Sequence, residues 1–283
     1  MENVLDVNNL VKEYKNFSLK ELNFSLHKGE ITGFIGQNGS GKTTTIKCIL
    51  NLVKCEGEIK LFGKNSLDYE KESKDNIGVV FDELPFDDCL NAKEVSKILK
   101  YIYSNWSDAV FKEYLIKFGL SFNQILGKYS KGMKTKLSLA VALSHKAQLL
   151  ILDEPTSGLD PVFRCEILDE LKMFANEADN AVLFSTHITS DLEQIADNVL
   201  FIHKGEIVFC EKKEELHKKY LTIKNNKTIL NELVQSDIIA YKSINSEVEV
   251  LIRYSEKYIK EYNANNPSID DIMRIYSEKT VTK

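Results

Sequence analysis

The chain is poor in the features that mark several large protein classes. Its five cysteines, at positions 48, 55, 89, 165 and 210, are scattered through 283 residues. None forms a Cys-x-x-Cys pair, and an odd, dispersed set is not a disulfide framework. A reducing compartment is the expectation. Basic excess is also missing. The formal net charge is −5, so the chain lacks the Lys- and Arg-rich balance typical of nucleic-acid binders, and no nucleic-acid partner is expected. No run approaches the roughly 20 apolar residues that cross a bilayer, so no membrane span is expected. Work at a membrane would require another chain to hold this one there. The opening MENVLDVNNLVKEYK carries Glu2 and Asp6 and no apolar stretch leading to a cleavage site, so a signal peptide is not expected. Internal repeats and low-complexity tracts are absent as well.

What is present is alternation of strand and helix. The first 35 residues read as strands, with Leu22, Phe24 and Leu26 alternating with polar neighbours. Ile31–Ile35 reads as a buried strand, and the residues from Thr45 to Val53 as a helix with Ile46, Ile49, Leu50 and Val53 on one face. Glu58–Gly63 and Ile77–Phe81 look like further strands. From about Ala92 to Leu143 the periodicity becomes helical, as in Val95, Ile98, Leu99 and Ile102. Strands return at Leu149–Leu152, Ala181–Phe184 and Val199–Ile202, with a helix from Arg164 to Phe174. This order predicts an α/β fold with a mainly parallel sheet, an N-terminal antiparallel part and a helical insert at about 82–145. Composition shifts after Glu211. Val248, Val250, Ile252 and Tyr254 alternate, and Ser268 with Asp271 marks a capping-box variant before Ile269, Ile272, Met273 and Tyr276. The expected division is 1–214 and a small α+β accessory unit, 215–283.

Two stretches carry chemistry. Between the strand ending at Ile35 and the following helix stands Gly36-Gln37-Asn38-Gly39-Ser40-Gly41-Lys42-Thr43-Thr44, a P-loop pattern. Its glycines let backbone N–H groups turn onto phosphate oxygens, and the helix start favours the same anion. Lys42 would reach the β and γ phosphates, and the Thr43 hydroxyl would ligate Mg²⁺. ATP and Mg²⁺ are therefore the expected cofactors. The second stretch, Leu149-Leu150-Ile151-Leu152-Asp153-Glu154, is four apolar residues ending in two acids. Carboxylates at a buried strand end need a cation or donors. After a P-loop, Asp153 is expected to hold Mg²⁺ and Glu154 to act as general base on the attacking water.

Three further segments bring in a family. Tyr129-Ser130-Lys131-Gly132-Met133 resembles the signature motif of ABC ATPases. Asp153-Glu154-Pro155-Thr156-Ser157-Gly158-Leu159-Asp160 looks like that family's Walker B strand running into its D-loop. Ser185-Thr186-His187 looks like its switch-histidine segment. The resemblance covers about residues 1 to 215 and implies a P-loop NTPase fold. It also implies two such subunits, identical or different, meeting head to tail with ATP trapped between them. Ser130 and Gly132 would then contact the γ phosphate held by the opposite P-loop, His187 would orient the water, and Asp160 would help bridge the subunits. Tyr14 matches the position that stacks on adenine. Three positions depart from the family pattern. Asp82 stands where Gln is usual and is expected to offer its oxygen to Mg²⁺. Lys131 and Met133 replace the common Gly and Gln of the signature.

A lone domain with a short helical insert resembles the ATPase subunit of a bacterial transporter more than the soluble members that act in translation or DNA repair. The resemblance implies an integral-membrane permease as partner, a peripheral position on the cytoplasmic face of the membrane, and export of drugs or of amphipathic and antimicrobial peptides. An importer subunit and a soluble regulatory ATPase stand as alternatives.

Overall fold

The computed structural model describes residues 2–68, 75–177 and 180–277. Strands β1 (Asn3–Tyr14) and β2 (Phe17–His27) pair antiparallel and alternate buried with exposed positions, as a sheet with one wet face does. β3 (Ile31–Ile35) is buried at every position, the mark of a strand covered on both faces. It leads through the glycine loop into α1 (Lys42–Ile49). This helix ends earlier than its periodicity predicts. Asn51 takes a left-handed conformation, φ 55°, so Val53 packs from a loop rather than from the helix face. β4 (Glu56–Leu61) joins β1, and β5 (Lys64–Asn65) extends that edge.

β6 (Ile77–Val80) is followed by α2 (Ala92–Ile102), α3 (Asp108–Lys117) and α4 (Lys131–Leu143). Then come β7 (Leu149–Asp153), α5 (Pro161–Asn176), β8 (Ala181–Thr186), α6 (Thr189–Ile195) and β9 (Asn198–His203). α5 begins three residues before Arg164, where the sequence predicts its start. Pro161 sits in the first turn and Asp160 caps it, a favoured start. The order across the main sheet is β10-β9-β3-β8-β7-β6. Only β10 (Glu206–Lys212) runs antiparallel to its neighbour. The sequence reading missed this strand, because a register shift between Ile207 and Phe209 breaks its alternation.

Period-two geometry divides the core. Phe34, Ile151, Leu183 and Leu200 face α1 and the antiparallel sheet. Ile35, Leu152, Phe184 and Phe201 face the helical side. β3, β6, β7 and β8 run parallel, so Gly36, Asp82, Glu154 and His187 all follow strand ends on one edge of the sheet. Ligands of open α/β sheets bind at that edge.

The C-terminal part continues with α7 (Lys213–Lys219) and β11 (Tyr220–Asn226), then α8 (Ile229–Glu232), β12 (Ile238–Ile244), β13 (Glu247–Arg253), α9 (Glu256–Tyr262) and α10 (Ile269–Ser277). β11, β13 and β12 form a small antiparallel sheet with its own apolar cluster around Leu221, Val250 and Tyr258. Its other face belongs to the main core, where Leu251, Ile269, Ile272 and Ile275 join Phe201. Ser268 Oγ accepts the Asp271 N–H at 3.1 Å, and Asp271 Oδ2 accepts the Ser268 N–H at 3.1 Å. This reciprocal cap opens α10.

Candidate active site

The loop from Gly36 to Gly41 is shaped by backbone demands. A Cβ at Gly36 would lie 2.5 Å from Ser40 Oγ and from the Ile202 carbonyl. Gly41 has φ 119°, which disfavours a side chain. Gln37, Asn38 and Gly39 are exposed at the loop tip, and Ser40 is buried. α1 begins at Lys42 with no side-chain cap and no acidic residue in its first turn. The N–H groups that open such a helix have no intrahelical partner. Buried Ser40 Oγ likewise has no hydrogen-bond partner. These donors fit an anion at the loop, as phosphate requires. Thr43 and Thr44 follow in the first turn, with Thr43 exposed.

Four predicted residues are linked around this loop. Lys42 Nζ donates to the Gly36 carbonyl at 2.7 Å and pairs with Glu154 Oε1 at 3.2 Å. Glu154 Oε2 is 2.7 Å from His187 Nδ1. Glu154 itself has φ 52°, a strained backbone for a residue with a long side chain. Asp153 is buried and accepts from Ser185 Oγ at 2.6 Å, while the same oxygen accepts the Glu154 N–H at 3.0 Å. Ser185 thus fixes both acids from the neighbouring strand. The Thr43 hydroxyl and the Asp153 carboxylate offer oxygen, the donor type that suits magnesium held jointly with phosphates.

The other predicted residues make their contacts outside this network. Ser130 caps α4, its Oγ accepting the Met133 N–H at 3.2 Å. A Cβ on Gly132 would touch Leu159 at 3.4 Å. Asp160 Oδ1 accepts the Phe163 N–H at 3.0 Å and so caps α5. Tyr14 is half exposed, with Lys12 Nζ 5.0 Å from its ring centroid. Asp82 Oδ1 pairs with Lys131 Nζ at 2.5 Å.

Sequence reasoning missed Asp191. Its carboxylate is fully buried on α6, just beyond His187. It accepts from Thr156 Oγ1 at 2.6 Å and from Arg164 Nε at 2.5 Å. A buried charge persists where donors satisfy it, and here the donors tie α6 to the segment after Glu154. Its only local sign was an acid within an otherwise ordinary helix.

The behaviour of two titratable groups follows from their surroundings. Burial pushes the Cys48 thiol, on α1, up to about 12, with Cys55 beside it adding to the shift. Burial also holds His145 below its ordinary value, although its Nδ1 lies 2.9 Å from the Asp75 carbonyl.

The chain is similar to known proteins along most of its length. The ABC transporter family pattern matches residues 19–157. The bacitracin transport ATP-binding protein BcrA of Bacillus licheniformis is 34% identical over 281 residues, 98% of this chain and 86% of that protein. The lantibiotic transport ATP-binding protein SrtF of Streptococcus pyogenes is 32% identical over 235 residues, 82% of this chain and 97% of that protein. Among solved structures, an ATP-binding subunit of an ABC transporter superposes with TM-score 0.69 at 26% identity, covering 76% of this chain and 92% of that one. A dimeric ATP-binding cassette, MJ0796, in a post-hydrolysis state with ADP and phosphate superposes with TM-score 0.66 at 26% identity, covering 74% and 98%.

Proposed function

Because the chain belongs to the ABC transporter family as an ATP-binding, ATP-hydrolysing subunit, we propose that it powers export of antimicrobial or amphipathic peptides, or of drugs. The cargo would pass through a separate permease, with this subunit on the cytoplasmic face of the membrane. No helix among the described residues is long and apolar enough to cross a membrane. The named cargoes of the two relatives, bacitracin and lantibiotics, support the peptide reading.

The observation that carries the catalytic assignment is the chain of contacts Lys42–Glu154–His187 at the mouth of the glycine loop. In it, Lys42 and the N–H groups opening α1 hold the phosphates. Glu154 takes the proton of the attacking water. His187 orients Glu154 and the water. Thr43 and Asp153 would hold magnesium, which supplies charge neutralisation on the transferring phosphate. Tyr14 stacks on the adenine, and Ser130, Gly132 and Asp160 complete the nucleotide site of a second subunit. Residues 1–214 form the ATPase unit in this reading, and 215–283 an accessory unit.

A cavity of about 580 Å³ supports the permease partnership. It lies between α1, β6 and α2, and Leu50, Phe81, Phe86, Ile102 and Tyr103 line it. Leu52, itself in the lining, stands exposed, as do Ile98 and Tyr101 on α2. An apolar patch around an apolar cavity suits a helical segment of another chain.

Glu154→Gln tests the catalytic part. It should bind ATP, lose about 100- to 10,000-fold in turnover, and run as an ATP-dependent dimer on a sizing column. Turnover near wild type would remove Glu154 from the role. For transport, turnover should rise with a cationic antimicrobial peptide only when the permease is co-reconstituted in vesicles. Indifference to both would overturn the exporter reading.

A further inference from the structure

Two of the three departures from the family pattern touch each other. Asp82 replaces the usual Gln, Lys131 replaces the usual Gly, and Asp82 Oδ1 lies 2.5 Å from Lys131 Nζ. A second bridge runs beside it, Lys134 Nζ to Asp88 Oδ1 at 2.9 Å. Lys131 and Lys134 are three apart on α4, hence on one face. Backbone bonds complete the seam. The Gly127 N–H donates to the Asp88 carbonyl at 2.9 Å, and the Leu126 N–H to the Leu90 carbonyl at 2.8 Å. The segment between β6 and α2 is therefore stitched to the approach and first turn of α4. Phe81, Pro85 and Phe86, on the same segment, line the apolar cavity. Ser130, at the other end of the seam, caps α4.

We propose that Asp82 and Lys131 work as one positioning pair. Asp82 acts through Lys131, setting the orientation of Ser130 and Gly132 toward the nucleotide, rather than ligating magnesium. The inference rests on the reading that Ser130 and Gly132 meet the ATP of a second subunit. A Gln at position 82 with a Gly at position 131 has no such charge pair, so this control is particular to chains carrying both substitutions. Both side chains are about half exposed, 57% for Asp82 and 51% for Lys131. Salt therefore screens the pair.

The test uses the full chain in the Glu154→Gln background, where ATP-driven dimerisation is read on a sizing column without turnover. D82A and K131A should each raise the ATP midpoint for dimerisation about 3-fold. The double variant should be no worse than either single, and the swap D82K/K131D should return to near the parent value. An Asp at position 131 also suits the start of α4. Raising salt from about 50 mM to about 500 mM should weaken the parent and the swap but not the singles. The Mg²⁺ midpoint should be equal in all variants, and melting of each should show an intact fold. The proposal is overturned if D82A raises the Mg²⁺ midpoint while K131A does not, which makes Asp82 a metal ligand. A swap no better than the singles also overturns it. Failure of Glu154→Gln itself to dimerise would sink the underlying two-subunit reading and this inference with it.

Discussion

Lys42 Nζ donates to the Gly36 and Gln37 carbonyls and pairs with Glu154. A phosphate at the loop would compete with Glu154 for it. Lys42→Ala removes the only side-chain cation of the loop, and ATP affinity should fall at least about 10-fold, as loss of a charged hydrogen bond implies. Isothermal titration would show it, and unchanged affinity would remove Lys42 from the phosphate site. His145 gives a prediction in pH. Burial lowers its pKa from the ordinary 6.5, so the folded state disfavours the charged ring. As pH falls below about 6.5 the unfolded chain binds the extra proton first, and stability drops until the lowered folded value is passed. Melting temperature should therefore decline over that window, and His145→Gln should flatten the decline. An unaltered slope would mean that other groups cause it. Lys42, Asp153 and Glu154 stood out as candidates because the glycine loop and the apolar strand ending in two acids are short local patterns, and His187 because its segment resembles the family's; the contacts that link them were not visible in the sequence. Asp191 and Ser185 were not assigned roles, because their partners come from distant segments and only packing selects them.

Helices and strands of the main sheet were legible for a related reason. β3, β7 and β8 are buried at every position, so each shows as an apolar run between turns. The antiparallel additions were harder to read. β11 ends in Lys224-Asn225-Asn226, which reads as a turn, yet each residue pairs with β13. Register with a neighbour outweighs local propensity there. α10 illustrates an element held mainly from outside. Glu249 on β13 is buried, and burial alone would push its carboxyl up, but hydrogen bonds from Arg274 and Lys224 hold it below the ordinary 4.5. Their contribution is present above that value and is lost as pH falls through the lowered one. Arg274→Ala should leave Glu249 short of a donor and cost about 2 kcal/mol, with faster amide exchange in α10 and β13 at neutral pH. If exchange there is unchanged, Arg274 does not hold this helix.

At the scale of the molecule, the apolar cavity and the catalytic edge share one boundary, the segment from Phe81 to Leu90. Tyr101 is 86% exposed on α2 and is not among the nucleotide residues. Tyr101→Ser should leave turnover of the isolated subunit unchanged and reduce its stimulation by permease-containing vesicles. Full stimulation would move the docking surface elsewhere. The strand order carries one more consequence. β3 lies between β8 and β9, so the strand that launches the glycine loop has neither neighbour until Thr186 and His203 have been synthesised. At bacterial and eukaryotic elongation speeds that interval is roughly 10–30 s. Through it, a nascent chain carries an apolar strand with two open edges, the kind of surface that recruits chaperones or pairs wrongly with other chains. A ribosome that stalls before residue 181 would leave a chain that holds every residue of the glycine loop and neither of the strands that flank β3.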